Sequence, residues 1–112
     1  MKIAIPIAND RLCRHFGHCQ EFAVAEVDSG TGTVGEIARL QPPVHAPGVL
    51  PRWLHEQGVD LVIAGGMGQR AQALFQESGI GLHVGAPGLA PQDLLEAWVE
   101  GTLTAGANPC DH

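Results

Sequence analysis

The feature that most restricts the fold is a nearly continuous apolar run, VDLVIAG, at residues 59–65. An apolar run of this kind is typical of a strand that is covered on both faces. It is followed by GGMGQRAQALFQESG, which predicts a tight glycine loop and a helix that carries Ala71, Leu74 and Phe75 and ends at Gly79. A buried strand followed by a crossover helix is the unit of a parallel sheet, so this segment predicts an α/β fold.

Three further strands are predicted before this unit. KIAIPIA, residues 2–8, is rich in isoleucine and ends at the turn residues Asn9 and Asp10, which predicts a first strand. EFAVAEVD, residues 21–28, alternates apolar and polar residues and predicts a second strand. The turn SGTGT joins it to TVGEIARL, residues 33–40, which predicts a third strand in a hairpin with the second.

Two more helices and a fifth strand complete the predicted domain. Residues 48–57 predict a short helix with Leu50, Trp53 and Leu54 on one face, provided that Pro51 lies in its first turn. IGLHVG predicts a fifth, short strand, and a last helix is expected to start at Pro91. The expected order is βββαβαβα, a mixed five-stranded sheet flanked by helices, in one α/β domain over residues 1–104 with a polar tail at 105–112.

The length, the net charge and the cysteine count of the chain argue against several classes of protein. A chain of 112 residues, 45% of them hydrophobic, is long enough to bury one core. Its formal net charge of −6 argues against a general binder of nucleic acid or of anionic membranes. The first apolar stretch is too short for a signal or membrane-spanning segment, so a soluble cytoplasmic protein is expected. The odd number of cysteines, three, argues against a disulfide framework.

The segment RLCRHFGHCQ, residues 11–20, contains Cys13, His15, His18 and Cys19 directly after the first strand. Thiolate and imidazole are ligands that soft and borderline metals prefer, and open α/β sheets bind ligands at the carboxyl ends of their strands. Four ligands packed this tightly cannot easily surround one tetrahedral ion, because zinc patterns usually separate two ligand pairs. The alternative is that Cys19 and Phe16 pack inward and the histidines are merely exposed.

Other histidines and cysteines could join this segment. The tail ends with Cys110 and His112, which could act with it if the tail folds back, although termini are often disordered. His45 lies in a proline-rich loop, a place where functional side chains collect. His55 and His83 fall within a predicted helix and strand, so we interpret them as structural or surface residues.

A second candidate site is AGGMGQR, residues 64–70. Glycines between a buried strand and a helix allow backbone amides to approach an anion, and the helix start adds partial positive charge. The segment matches neither the Walker loop nor the G-x-G-x-x-G fingerprint, and it could simply serve tight packing. Arg11, Arg14 and Arg70, three of the six basic residues, lie in these two loops. Both loops should open at one sheet edge and form a pocket suited to an anionic cluster of metal and sulfur.

The segments MKIAIP, HFGHC, GVDLVIAGGMGQRA, GI, VGAPG and CDH together resemble the dinitrogenase iron–molybdenum cofactor biosynthesis family. This family includes NifX-like and NafY-like carriers, the C-terminal region of NifB and small stand-alone proteins. The resemblance covers nearly the whole chain. It implies an RNase H-like α/β fold and non-enzymatic binding or carriage of iron–molybdenum or related metal–sulfur clusters. A relative, the orange protein of sulfate reducers, is associated with a molybdenum–copper sulfide cluster held without covalent attachment.

The resemblance also assigns roles to residues of this chain. His15 corresponds to the histidine of the family's HFG motif, and His45 falls in a loop where members often carry a histidine. The ligand roles of Cys13, Cys19, Cys110 and His112 look like features of a subset of the family. The cluster-binding glycine turn corresponds to Gly65, Gly66, Met67, Gly68 and Arg70.

The leading hypothesis is a carrier, with no catalytic residues, that receives an iron–molybdenum or molybdenum–copper sulfide cluster from one protein and passes it to another. His15, with His45 or Cys13, would contact metal, while Arg14, Arg70 and the amides of residues 66–68 would stabilise the sulfide charge. One alternative is a zinc- or copper-binding regulator that uses the loop cysteines and histidines. Another is an RNase H-like hydrolase, but the first strand has no acid before Asp10.

Overall fold

Ten elements make up the described part of the chain, which in this computed structural model comprises residues 1–16, 19–28, 30–43 and 48–103. The helices are α1 (Val49–Glu56), α2 (Gln69–Glu77) and α3 (Pro91–Glu100). The strands are β1 (Lys2–Ala8), β2 (Arg11–Leu12), β3 (Glu21–Asp28), β4 (Thr33–Val34), β5 (Ala38–Leu40), β6 (Leu61–Ile63) and β7 (Gly81–His83).

The sheet has a parallel half and an antiparallel half that meet at β1. The strand order is β4-β3-β1-β6-β7, with β2 paired to β1 and β5 paired to β3. Strands β1, β6 and β7 run parallel, in a register that places Ile3 beside Leu61 and Leu61 beside Gly81. Strand β3 is antiparallel to β1, β4 and β5. The predicted mixed sheet flanked by three helices is therefore confirmed.

The sheet differs from the five predicted strands in two places, both of which add a short strand. Asn9 and Asp10 have φ of 54° and 63°, the paired left-handed conformation of a tight hairpin turn, so Arg11–Leu12 folds back onto β1 as β2. The predicted third strand is split into β4 and β5 near Gly35. The N–H of Gly35 donates to the Glu26 carbonyl at 2.8 Å, where a Cβ would lie 2.9 Å from that oxygen.

Both faces of the sheet are covered, which explains why β1 and β6 are apolar throughout. On one face, α1 and α2 pack through Leu50, Leu54 and Phe75 onto a core that includes Ala4 and Val62. On the other face, α3 packs on a second core, made up of Ile3, Ile5, Ile7, Leu12, Ala23, Ala25, Val27, Leu61, Ile63, Leu94 and Leu95. Because side chains alternate along a strand, neighbouring residues of β1 serve opposite cores.

The helices follow the predicted limits closely. Pro51 lies in the first turn of α1, and Pro91 is the first residue of α3. None of the helices in the described ranges is both long and apolar enough to cross a membrane. The expected polar tail, residues 105–112, lies outside the described residues.

Candidate functional site

Three loops meet at the carboxyl ends of the parallel strands. They follow β1, β6 and β7, and we call these loops, residues 9–16, 64–68 and 84–90, the cup. Backbone hydrogen bonds join them: Gly85 N–H donates to the Gly65 carbonyl at 2.7 Å, and Leu12 N–H donates to the Leu89 carbonyl at 2.9 Å. The cup is therefore one connected surface at the edge where open α/β sheets bind ligands.

The first loop lies directly against the glycine turn. His15 and Gly66 form an isolated parallel β-bridge. Gly66 N–H donates to the Arg14 carbonyl at 2.6 Å, and Phe16 N–H donates to the Gly66 carbonyl at 2.9 Å. Two segments separated by about fifty residues in sequence are thus paired backbone to backbone, and His15 lies beside the turn as the predicted shared edge requires.

This close approach explains the glycine at position 65. A Cβ on Gly65 would lie 3.0 Å from the carbonyl oxygens of both Cys13 and Arg14. Those atoms belong to the backbone and cannot move aside as a flexible side chain could. The packing interpretation of the turn therefore holds at Gly65, and this packing is what brings the two loops of the cup together.

The other residues of the turn differ in what they offer a ligand. The N–H of Gly66 already donates to Arg14, so this amide is not a donor to bound anions, contrary to the sequence-based expectation. Met67 is fully buried in the core of α1 and α2, and its carbonyl accepts a hydrogen bond from Gln72 Nε2 at 2.8 Å. A Cβ on Gly68 would meet nothing within 4 Å, so Gly68 borders open space.

Helix α2 begins directly at this turn. Gly68 is its N-cap residue, no side chain caps it, and its first turn contains no acidic residue. The N-terminal end of a helix carries partial positive charge, which an acidic side chain often offsets. The first turn of α2 supplies no such side chain, so the start of α2 favours an anion beside the glycine turn.

The arginines predicted to line the pocket are exposed. Arg11 and Arg14 lie on the first loop and its strand β2, and Arg70 lies in the first turn of α2. Ion pairs among the described residues involve only Arg39 and the amino group of Met1. The three guanidinium groups therefore have no carboxylate partner within this part of the chain, and they give the cup local positive charge on a chain whose net charge is −6.

The two described cysteines turn inward. Cys13 is 6% exposed, and its Sγ donates to the His15 carbonyl at 2.8 Å. Cys19 is half-buried against the core of α1 and α2. Burial, and to a smaller extent the neighbouring Cys13, raises the pKa of Cys19 to about 11, so Cys19 is a protonated thiol at neutral pH. Cys19 is therefore not a preformed thiolate ligand, and the Sγ of Cys13 is already bonded to a backbone carbonyl.

Phe16 anchors the first loop in the core. Its ring is 5.3 Å from that of Phe75 on α2 and 6.0 Å from that of Phe22 on β3, both in edge-to-face arrangements. The interpretation in which Phe16 and Cys19 pack inward thus describes these two side chains. His15 is partly exposed and lies at the glycine turn.

A compact metal centre is not present within residues 1–16, 19–28, 30–43 and 48–103. No three His, Cys, Asp or Glu side chains in these ranges come together as ligands of one ion. The remaining candidate ligands, His18, His45, Cys110 and His112, lie outside the described residues. Cys13, His15 and Cys19 by themselves therefore do not form a mononuclear site.

The described part of the cup contains no cluster of carboxylates that could bind a metal ion. Asp60 lies at the opposite end of the parallel strands, where its carboxylate accepts a hydrogen bond from Lys2 N–H at 2.8 Å. Asp10, at the start of the first loop, is paired with Arg39 at 2.6 Å. This arrangement gives no support to the RNase H-like hydrolase, whose chemistry relies on clustered carboxylates that hold magnesium.

The third loop of the cup, residues 84–90, was not predicted as part of the site. A signal was available, because VGAPG follows a strand predicted to lie parallel to β6, and its loop must open at the same edge. Gln72, one turn into α2, was not predicted either, and its side-chain amide donates to the Met67 carbonyl. No sequence pattern marks that contact.

Comparison with known proteins places the chain among small cofactor-related proteins. A family model described as "Dinitrogenase iron-molybdenum cofactor" matches residues 1–101. The uncharacterised protein MJ0580 of Methanocaldococcus jannaschii is 31% identical over 106 residues, covering 92% of this chain and 89% of that protein. The crystal structure of PH0822 has a TM-score of 0.84 at 26% identity and covers 94% of this chain and 96% of that chain. The apo form of the orange protein of Desulfovibrio gigas has a TM-score of 0.72 at 21% identity, with coverage of 96% and 94%.

Proposed function

Because this chain belongs to the dinitrogenase iron–molybdenum cofactor family, we propose that it is a non-enzymatic carrier that binds an anionic metal–sulfur cluster in the cup. The cluster is of the iron–molybdenum or molybdenum–copper type, and the carrier receives it from one protein and delivers it to another. The observation that carries the proposal is the backbone pairing of His15 with Gly66. This pairing sets the backbone of His15 beside the glycine turn that leads into α2, which supports a site formed by these segments.

His15 is the proposed metal ligand, and cations hold the cluster's charge. Arg14 precedes His15 in the first loop, Arg70 lies in the first turn of α2, and neither has a carboxylate partner among the described residues. The start of α2 at Gly68 adds backbone dipoles that favour sulfide or thiolate charge. Gly66 contributes by placing His15, since its own amide is already bonded. The buried Cys13 has a structural role beneath His15.

Reversible carriage follows from this balance of contacts. A cluster held by many metal–protein bonds would leave too slowly for a carrier. One imidazole together with charge-assisted hydrogen bonds, each worth about 1.5–3 kcal/mol, can hold a cluster tightly and still release it. The inward thiols of Cys13 and Cys19 are consistent with such sparse ligation. We also infer the RNase H-like type for the sheet, supported by the antiparallel β3 and parallel β6 on either side of β1.

The ligand role of His15 is tested by substitution. Apo-protein is mixed with a synthetic molybdenum–copper sulfide cluster, desalted, and measured by visible absorption, metal content and acid-labile sulfide. We expect His15→Ala to bind the cluster at least about tenfold more weakly, since even outer-shell partners of metal sites contribute that much. His55→Ala, an exposed histidine on α1, is the matched control and should behave as wild type.

Two outcomes contradict the proposal at different levels. Equal retention of metal by wild type and His15→Ala means that the imidazole is not a ligand. Failure of wild type to retain molybdenum–copper or iron–molybdenum sulfide clusters means that the cup does not carry such a cargo. Retention of a single zinc ion without sulfide would favour the metal-sensing alternative.

A further inference from the structure

We propose that Arg39 is a positioning residue that clamps the two ends of residues 11–20, the segment that carries His15, and thereby sets how long the cup retains its cluster. The proposal rests on the proposed function, since it concerns the retention of that same cargo. Arg39 lies on β5, in the antiparallel half of the sheet, whereas the cup is formed by the parallel half.

The geometry of the clamp is defined by one nitrogen. Arg39 Nη1 donates to Asp10 Oδ1 at 2.6 Å and to Glu21 Oε1 at 3.2 Å. Asp10 is the residue immediately before the segment, and Glu21 is the residue immediately after it. One guanidinium therefore brackets the segment from outside. We call Arg39, Asp10 and Glu21 the clasp.

Two further hydrogen bonds join the chain at the two ends of the segment, residues 7–10 and 20–21, which we call its neck. Gln20 N–H donates to the Ile7 carbonyl at 2.9 Å, and Gln20 Oε1 accepts from Asn9 N–H at 3.3 Å. Asn9 and Asp10 both have positive φ, a region that Asn and Asp tolerate better than other side chains but that still favours glycine. An ion pair on the Asp10 carboxylate stabilises this turn, from which the chain enters the cup.

The first loop connects the neck to His15, so restraints at the neck also act on His15. The segment is fixed at its neck by the clasp and inside the cup by the bonds of Arg14 and Phe16 to Gly66. Loosening the neck removes one of the restraints on the first loop and leaves the Gly66 bonds, the Leu12–Leu89 and Cys13–Pro6 bonds and the Phe16 ring to hold it, so the bonds to Gly66 should open more often. Each opening moves His15 away from the start of α2, and the cluster loses its metal contact at that moment.

The clasp differs from an isolated surface ion pair, which contributes little. One guanidinium serves two carboxylates, and the Glu21 side chain is only 28% exposed. The hydrogen bond to Asp10, together with the charges of Asp10 and Glu21, raises the pKa of Arg39 above its ordinary value, so the guanidinium of Arg39 stays charged. Charge alone does not establish a positioning role, so the test must separate geometry from electrostatics.

Two variants remove the ion pairs of the clasp, one from the cation and one from the carboxylates, and together they separate geometry from electrostatics. Arg39→Gln removes a positive charge, whereas the double variant Asp10→Asn with Glu21→Gln removes two negative charges. Asn retains the tolerance for positive φ at position 10. Arg52→Gln, an exposed arginine on α1, is the control for the loss of one cation. Release is measured as the fraction of a molybdenum–copper sulfide cluster that stays with the protein in desalting runs at increasing times.

We expect both clasp variants to release the cluster about threefold to fivefold faster than wild type and Arg52→Gln, the scale expected for a small network of partly exposed ion pairs. Long-range electrostatics alone predicts opposite effects, with faster release from Arg39→Gln and slower release from the double variant, since an anionic cargo is held better when acids are removed. Release from the double variant that is as slow as from wild type, or slower, overturns the proposal.

A second readout uses the apo-protein and does not depend on cargo. Hydrogen exchange of the Cys13 and Phe16 amides, which donate to Pro6 and Gly66, should be faster in both clasp variants, while exchange within β1 and β6 stays unchanged. Equal exchange in wild type and both variants overturns the clasp. If wild type binds no cluster, the carrier proposal fails instead, and the exchange measurement still decides the role of Arg39.

Discussion

At the scale of single residues, Cys19 shows how burial changes the chemistry of a candidate ligand. Its raised pKa, about 11 against an ordinary value of 9.0, means that the folded protein disfavours the thiolate. Below pH 9 the thiol is protonated in both the folded and the unfolded chain, so its contribution to stability is fully present. As the pH rises from 9 to 11, the unfolded chain ionises first, and this contribution is lost.

We therefore predict that the free energy of unfolding of wild type falls by about 1–2 kcal/mol more than that of Cys19→Ala between pH 9 and pH 11, a value reduced for the partial exposure of the thiol. Urea unfolding under reducing conditions at several pH values measures the difference. No tyrosine titrates in this pH range, because the chain has none, and the other ionisable groups are the same in both proteins. Parallel pH profiles of the two proteins would show that Cys19 titrates normally.

At the scale of elements, the cup depends on the close approach of the first loop to the glycine turn, and two glycines of that turn test it. Gly65→Ala places a Cβ 3.0 Å from two backbone carbonyls, so we predict a loss of about 1–3 kcal/mol in stability together with weaker cluster retention. Gly68→Ala is the matched control, because its φ of −65° suits alanine and nothing lies within 4 Å.

Chemical denaturation and the desalting assay measure both variants. Gly68→Ala is the control for stability and should lose less than about 1 kcal/mol, the cost of replacing glycine at an N-cap. Similar losses in the two variants would mean that the pairing of the loops does not set the cup, since only Gly65 lies between them.

At the scale of the whole molecule, the two cores have different relations to the cup. Phe75 contacts Phe16, which anchors the first loop, whereas Leu94 packs on the opposite face of the sheet with the second core. We predict that Phe75→Leu and Leu94→Val each cost about 1–2 kcal/mol of stability, but that only Phe75→Leu weakens cluster retention per folded molecule. Thermal unfolding and cluster titration compare them, and equal retention by the two variants would contradict this division.

Much of the fold was predictable because its signals are local. The apolar run of β1, the alternation of β3 and the periodicity of the three helices lie within short windows, and the structure forms these elements close to the predicted residues. The split near Gly35 and the added strand β2 were not predicted. They depend on which carbonyl faces Gly35 and on the left-handed turn at Asn9 and Asp10, and neither is visible as hydrophobic periodicity.

The sequence by itself determined that two loops, carrying His15 and the glycine turn, meet at one edge, because consecutive parallel strands end on the same side of a sheet. Only the tertiary structure decided what each residue does there. It turned Cys13 inward, engaged the Gly66 amide, buried Met67 and brought Arg39 to the neck of the loop. These outcomes depend on atoms that come within hydrogen-bonding or packing distance only after distant segments fold together, and residue type alone does not specify such contacts.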